Sequence, residues 1–466
     1  MKVPDQIERE SHRLIITRRN ASEILFASNG FDWSLPGVGM LPRHRIAEQL
    51  TEKLQVERGL RAHCLFYLAH SGSDRNTIPS KYAVMEAHQS DGKAPAGTRW
   101  FPIAGNGSHF VVPAEDNAAI TEAILEMNTY LNNATMGPFA RLGWMEELLE
   151  WVQTRIDPMN LRVTGAIRQL NASPTFSLIR LETTGTAVWF KATGEPNLHE
   201  LPVSLSLARF FPGYVPEILG VHPKWNAWIS KEASGTPLDD HEQSSCWERV
   251  ARTLAELQVD SIVKCPQLLG DHCKDLRLTR IVELVDPFLA RMADLMAAQV
   301  KLSPEPLTKS NLAFLGDRLK DACAALQELG VPDTLGHIDF NPGNIIVSAT
   351  RCCFLDWAEG CVTHPFVTFE YLQEHYRRRL GSGAPVQKII SAYLEPWQSV
   401  FSSDRLMYAL VISPLIAVFV SAVADTTWHS IDSSQDARGA GYFRSLTRRM
   451  FREATSVAQW SQQCLS

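Results

Sequence analysis

No C-x-x-C pair occurs among the nine cysteines of this 466-residue chain; Cys352 and Cys353 are adjacent and the others are scattered. That spacing offers no structural zinc site, and an odd, dispersed set fits a reducing compartment rather than a disulfide framework. Positive charge is not in excess either: 45 Lys and Arg stand against 51 Asp and Glu, for a net charge of −6 and a pI near 6.2. A general nucleic-acid binder is therefore not expected. The N-terminal MKVPDQIERE lacks the apolar core of a signal peptide. Long hydrophobic runs are almost absent. The exception is LMYALVISPLIAVFVSAVA, residues 406–424, which approaches the length of a membrane span. Pro414 interrupts it and Arg405 and Asp425 flank it, so the expectation is a buried core helix, no membrane association and a cytoplasmic protein. No internal repeat or low-complexity segment is visible.

What is present is a globular composition, 45% hydrophobic and 21% charged, over a length that suggests two or three domains. The first part alternates strands and helices. RLIITRR, EILFAS, AHCLFYLAH, YAVMEAH and RWFPIA read as strands; 43–58 and 114–131 read as helices, the first closed by Gly59. NNATMGP, residues 132–138, has the turn formers of a linker. GWMEELLEWVQTRI then has helical periodicity, with Trp144, Leu148 and Trp151 on one face. Strands RVTGAIRQL, FSLIRLET and AVWFKA follow, and from Cys246 nearly everything reads as helix. The expected divisions are 1–135, 136–235 and 236–466.

One stretch inside the helical part does not read as helix: LGHIDFNPGNIIVSATRCCFLDW, residues 335–357. Asp339 and Asp356 sit among hydrophobic residues, where burial of a carboxylate is costly without a partner. A hairpin formed by IIVSATRCCFLD would return Asp356 beside Asn344. Phosphoryl transfer uses such a set, because Mg²⁺ must be positioned and an attacking hydroxyl oriented. One aspartate accepts the hydroxyl proton, while the asparagine and the second aspartate hold metal.

The stretch resembles the Brenner motif of the aminoglycoside phosphotransferase and choline-kinase-like family. The family pattern runs His-Gly-Asp-Leu-His-Pro-Gly-Asn-Ile, against His337-Ile-Asp-Phe-Asn-Pro-Gly-Asn-Ile345 here. The resemblance implies Asp339 as catalytic base, Asn344 and Asp356 as Mg²⁺ ligands and His337 as support of the loop. Ile338 and Asn341 depart from the pattern, and Asn341 is expected to alter contacts near the phosphates. WAEGCVTHPF resembles a subgroup's continuation, while the later aspartate of the aminoglycoside enzymes is absent at Val367 and Thr368. Glu359, Glu370, Glu374 and Asp425 are candidates to line an acceptor pocket, or ordinary surface charges.

A small lobe of this kind needs a strand lysine for the phosphates and a helix glutamate to hold it. Lys191 ends the strand AVWFKA, and Glu200 follows near a helix start, with Glu195 as the alternative. The phosphate-covering loop would fall at QLNASPTFS, where backbone near Ser173 either cradles phosphate or forms an ordinary turn. WISKEASGTPL resembles the hinge, with backbone from Lys231 to Ala233 meeting adenine and Gly235 allowing the next turn.

FDWSLPGVGM followed by AEQLTEKLQVERGL resembles the Nudix fold. Counting back from Gly59, the family's Arg-Glu-x-x-Glu-Glu positions hold Glu52, Lys53, Val56 and Glu57. A metal site needs convergent carboxylates, so a catalytically silent Nudix-like module is expected. The resemblances together imply an α+β chain: a bilobal protein-kinase-like phosphotransferase fold preceded by a Nudix-like mixed α/β domain. The implied activity is ATP- or GTP-dependent phosphorylation of a small-molecule hydroxyl with Mg²⁺. A non-catalytic kinase-like nucleotide-binding or scaffold protein, and a residual Nudix pyrophosphatase, are the alternatives; a homodimer is compatible with either.

Overall fold

The structure is a computed structural model that describes residues 10–18, 21–28, 30–41, 45–69, 81–88, 93–103, 112–132, 138–301, 303–381, 383, 385–432 and 436–465. The chain forms two compact units. Unit 1 comprises Met1–Leu201 with Glu217–Glu232, and unit 2 comprises Pro202–Pro216 with Ala233–Ser466.

Unit 1 holds two sheets. In the first, the strand Glu10–Arg18 lies at the centre, parallel to Lys81–Ala87 and antiparallel to Glu23–Ser28 and Gly37–Met40. Side chains alternate across a strand, so consecutive apolar residues feed both faces. Leu14 and Ile16 join a core with Leu50 and Leu54 of the helix Ile46–Arg58. Ile15 points into a different core with Ala119, Ile120, Ala123 and Met127 of the helix Ala114–Asn132. Gly59 ends the first helix in the left-handed conformation (φ 63°), its N–H capping Gln55 O at 3.0 Å.

The second sheet is antiparallel, in the order Ile218–His222, Ala227–Lys231, Val188–Ala192, Ser177–Thr183, Val163–Ala172. Its inward residues Ile179, Leu181, Val188, Phe190 and Ile229 belong to the same core as Ile15 and Ala119. The helix Trp144–Ile156 joins the two sheets, contributing Trp144, Met145, Leu148, Val152 and Ile156, with Trp151 only half-buried. The expected boundary at 135/136 therefore runs through one hydrophobic core. Residues 133–137 of the expected linker lie outside the described residues. Two polar links reinforce the joint: Gln169 exchanges hydrogen bonds with the Cys64 backbone (2.7 and 2.8 Å), and Arg168 pairs with Glu48.

Unit 2 is mainly helical around its own core, with two three-stranded sheets. One sheet orders Thr236–Pro237, Ile345–Val347 and Cys352–Phe354; the other orders Lys274–Leu276, Gly360–Thr363 and Thr334–His337. The helix Ser403–Ala424 is long and apolar enough to cross a membrane, and 67% of its most apolar stretch is buried inside the protein. Leu406, Leu415, Ile416 and Phe419 place it in the unit 2 core, and Pro414 is accommodated inside it.

Candidate active site

The strand Thr334–His337 is buried throughout, and the chain turns outward immediately after it. Gly336 is required there: a Cβ would stand 2.5 Å from Thr363 Cγ2 and 3.1 Å from Thr368 Oγ1. The His337 N–H donates to Thr368 Oγ1 (2.9 Å). This assigns Thr368, at the place of the missing family aspartate, to support of the strand. The buried His337 ring accepts the Asp339 N–H at Nδ1 (3.2 Å) and meets Leu355 O at Nε2 (3.1 Å). A neutral imidazole protonated on Nε2 satisfies both contacts. Burial holds its pKa below the usual histidine range, although the Leu355 carbonyl, Asp356 and Asp339 pull the other way.

Asp339 is exposed, whereas the adjacent Phe340 is buried and anchors the loop. The turn Pro342–Asn344 follows, with Asn344 N–H bonded to Asn341 O (3.0 Å) and Asn344 Nδ2 to Asp339 O (3.3 Å). Ile345–Val347 then pairs with Cys352–Phe354, placing Ile345 opposite Phe354. The Leu355 N–H closes onto Asn344 O at 2.8 Å, which brings the next residue, Asp356, beside Asn344. The hairpin is anchored by Phe354 N–H to Tyr214 O (2.8 Å) and by Arg351 Nε to Gly213 O (2.7 Å). Asp356 adopts a left-handed conformation (φ 62°, ψ 63°). Such a conformation costs a non-glycine residue about 1 kcal/mol. The expected burial of the two aspartates does not occur. Both carboxylates are exposed, and the apolar flanks Phe340, Phe354 and Trp357 are what the core takes. Gly235, at φ 127°, passes so close to this hairpin that a Cβ would lie 2.3 Å from Val347 O.

In unit 1, Lys191 lies on the strand Val188–Ala192, opposite Leu178 and Trp228. Its ammonium pairs with the carboxylate of Glu200, the first residue of the helix Glu200–Phe210. Glu200 is 2% exposed and the Lys191 side chain 15%; the alternative partner, Glu195, is exposed.

The residues expected to meet nucleotide elsewhere make contacts of their own within the protein. Ser173 donates its N–H to Phe176 O (3.1 Å), and its hydroxyl accepts the Phe176 N–H (2.9 Å). Both groups close a tight turn, so Ser173 does not offer an amide to phosphate. Thr175 packs over Gly194, where a Cβ would lie 2.5 Å from Thr175 Cβ. At the expected hinge, Lys231 N–H is bonded to Glu217 O (2.8 Å) and Glu232 N–H to Ala187 O (3.0 Å). Both N–H groups are engaged by backbone carbonyls. No acceptor among the described residues takes the Ala233 N–H. The Glu232 carboxylate is held by Arg180 (2.6 Å) and by the Trp189 indole (3.2 Å).

The suggested acceptor-pocket residues are each engaged locally. Glu359 pairs with Lys274 (2.5 Å), Glu374 with Arg449 (2.8 Å), and Asp425 accepts the Thr427 N–H (3.0 Å). Glu370 is buried, accepts from Gln373 (2.9 Å), and its pKa is pushed up to about 7 by burial. Asp239, which had no signal in the acidic run LDDHE, reaches the loop 338–344: its Oδ2 lies 3.4 Å from where a Gly343 Cβ would stand.

In the helix Ile46–Arg58, Glu52 and Glu57 are exposed, Val56 is 77% exposed, and Lys53 Nζ donates to Gly39 O. An ammonium thus occupies the ground between that helix and the strand Gly37–Met40. Among the described residues, no group of three or more His, Cys, Asp or Glu is arranged to hold a metal. A Mg²⁺ bound by one carboxylate and one amide oxygen does not need such a group, because it keeps water and substrate phosphate as its other ligands. Asn344, with Nδ2 turned to Asp339 O, would offer its Oδ1 to such an ion, and Asp356 would offer a carboxylate.

Residues 227–400 match the phosphotransferase enzyme family. That stretch contains the loop 338–344, the hairpin and Asp356, but not Lys191 or Glu200. No curated protein matches the chain. Among solved structures, a macrolide 2'-phosphotransferase from Brachybacterium faecium is similar at 15% identity, covering 65% of this chain and 98% of that one, TM-score 0.44. An ethanolamine kinase from Plasmodium vivax shares 11% identity over 72% of this chain and 93% of its own, TM-score 0.46. A choline/ethanolamine kinase family protein from Mesorhizobium loti shares 14% over 66% and 94%, TM-score 0.44.

Proposed function

We propose that the chain transfers the terminal phosphoryl group of ATP or GTP to a hydroxyl of a small molecule. The observation that carries this reading is the Leu355 N–H···O Asn344 bond, which sets Asp356 beside an Asn344 already tied to the Asp339 carbonyl. The family match over residues 227–400 supports it. Asp339 stands on the rigid loop as the base that orients the acceptor hydroxyl and takes its proton. Asn344 Oδ1 and the Asp356 carboxylate would hold Mg²⁺, which neutralises phosphate charge when bound. Lys191, kept in place by Glu200, would neutralise the nucleotide phosphates. His337 holds the loop and the Asp356 end of the hairpin in one frame.

Replacing Asp339 by Asn tests the reading. Phosphoryl transfer should fall at least about 10²-fold, the scale of a lost general base, with nucleotide affinity little changed. Undiminished transfer would remove the proposed base. The engaged donors of Ser173 favour a second reading, a kinase-like protein that binds nucleotide without turning it over. Mg²⁺-dependent release of phosphate from ATP by the parent chain separates the two. The first part of unit 1 we take as a non-catalytic Nudix-like module, because the Lys53 ammonium repels the cation that two exposed glutamates would need. Pyrophosphatase activity that survived loss of Asp339 would contradict this. The net charge of −6 and the burial of the Ser403–Ala424 helix are in keeping with a cytoplasmic enzyme that needs neither nucleic acid nor membrane.

A further inference from the structure

Asn341 is the point at which the catalytic loop departs from the pattern it resembles, and its side chain has a defined place. Nδ2 donates to Asp339 Oδ1 at 3.2 Å, and Oδ1 accepts the Gly343 N–H at 3.1 Å. Only this orientation of the amide satisfies both partners, since the carboxylate needs a donor and the N–H an acceptor. The backbone tightens the same link, with the Asn341 N–H on Asp339 O at 2.8 Å. The amide therefore ties the proposed base to the first turn of Pro342–Asn344.

We propose that Asn341 is the positioning residue of the base: it engages Asp339 Oδ1 and leaves Oδ2 as the oxygen that faces the acceptor hydroxyl. The inference rests on the reading of Asp339 as that base. An exposed aspartate otherwise turns freely about its terminal torsion, so either oxygen could face any direction. A neutral amide fixes the carboxylate without adding a charge. Histidine, which the resembled pattern carries here, would bring a group that titrates near neutrality. Other ionisable groups of the site are His337 beneath the loop, Asp239 on the turn Leu238–Asp240, His375 on the helix Pro365–Leu380, and Asp356 and Glu359 after the hairpin. Asp239 stands close to Gly343, so a second negative charge is already near. A donor at 341 offsets it.

The decisive variant is Asn341→Asp. It keeps an oxygen for the Gly343 N–H and the size of the side chain, but removes the donor and sets a carboxylate against Asp339. Hydrolysis of Mg²⁺–ATP by the full chain, with water as acceptor, is the assay, run beside Asn341→Ala and Asp339→Asn. For Asn341→Asp we expect the melting temperature to stay at the parent value and kcat to fall at least about tenfold, with KM for ATP unchanged. Asn341→Ala should lose less kcat, again with KM for ATP unchanged. Parent-like kcat in Asn341→Asp would overturn the inference, as would a loss of kcat that only follows a lower melting temperature. If Asp339→Asn hydrolyses at the parent rate, or the parent does not hydrolyse at all, the reading of the base itself fails. If Asp339→Asn is inactive and Asn341→Asp is not impaired, only the positioning role fails.

Discussion

Removing Glu200 takes from the Lys191 ammonium the carboxylate it pairs with. The carboxylate is 2% exposed and the lysine side chain 15%, so water cannot simply replace the lost partner. Truncating one member of a buried ion pair costs about 3–5 kcal/mol, against about 0–1 kcal/mol for a solvated surface pair. The Lys191 ammonium also lies 5.9 Å from the centre of the Trp228 ring, a contact that survives the mutation and compensates in part. Glu200→Ala should accordingly lower stability by about 3 kcal/mol, the lower end of the buried range. Urea unfolding of the full chain, in a double-mutant cycle with Lys191→Met, provides the measurement. A coupling energy of about 2–3 kcal/mol is expected. Glu195→Ala is the control, since that carboxylate is exposed and should leave stability unchanged. A loss below about 1 kcal/mol, or an additive cycle, would refute the argument, because the pair would then behave as a surface one.

Asp356→Ala should abolish the enhancement of ATP binding by Mg²⁺; calorimetry with and without the cation tests it, and a retained enhancement would place the metal elsewhere. Glu370 has a pKa raised by burial to about 7, so its folded form prefers the proton and the stability it contributes below the unfolded value is lost as pH rises through about 7. Glu370→Gln should therefore gain stability relative to the parent between pH 5 and 8, by up to about 3 kcal/mol, in pH-resolved denaturant melts. Equal curves at both pH values would contradict the burial cost. Expressed alone, residues 136–466 should fail to give a cooperatively folded small lobe, because Phe190, Val188 and Ile179 share a core with Ile15, Ala119 and Met127. A soluble fragment with parent-like turnover would show that this shared core is dispensable.

The stretch proposed as the active site was legible as a unit because its parts are local. His337, Asp339, Asn344 and Asp356 fall within twenty residues, and the apolar runs around them form a short hairpin whose pairing follows from sequence order. Lys191 was legible for a similar reason: strand alternation and a following helix mark its place. What only the tertiary structure decided depends on partners distant in sequence or on single hydrogen bonds. Nothing in local pattern states that the helix Trp144–Ile156 fuses two sheets into one core, because burial partners are chosen by three-dimensional packing. The choice of Glu200 over Glu195 depended on which carboxylate the helix start turns inward. Ser173 looked available until its turn engaged both its amide and its hydroxyl. The two aspartates looked costly because their neighbours are apolar, yet the fold buries those neighbours and leaves the carboxylates in water. Sequence specifies which chemical groups the loop carries; packing specifies which of their donors and acceptors remain for a substrate.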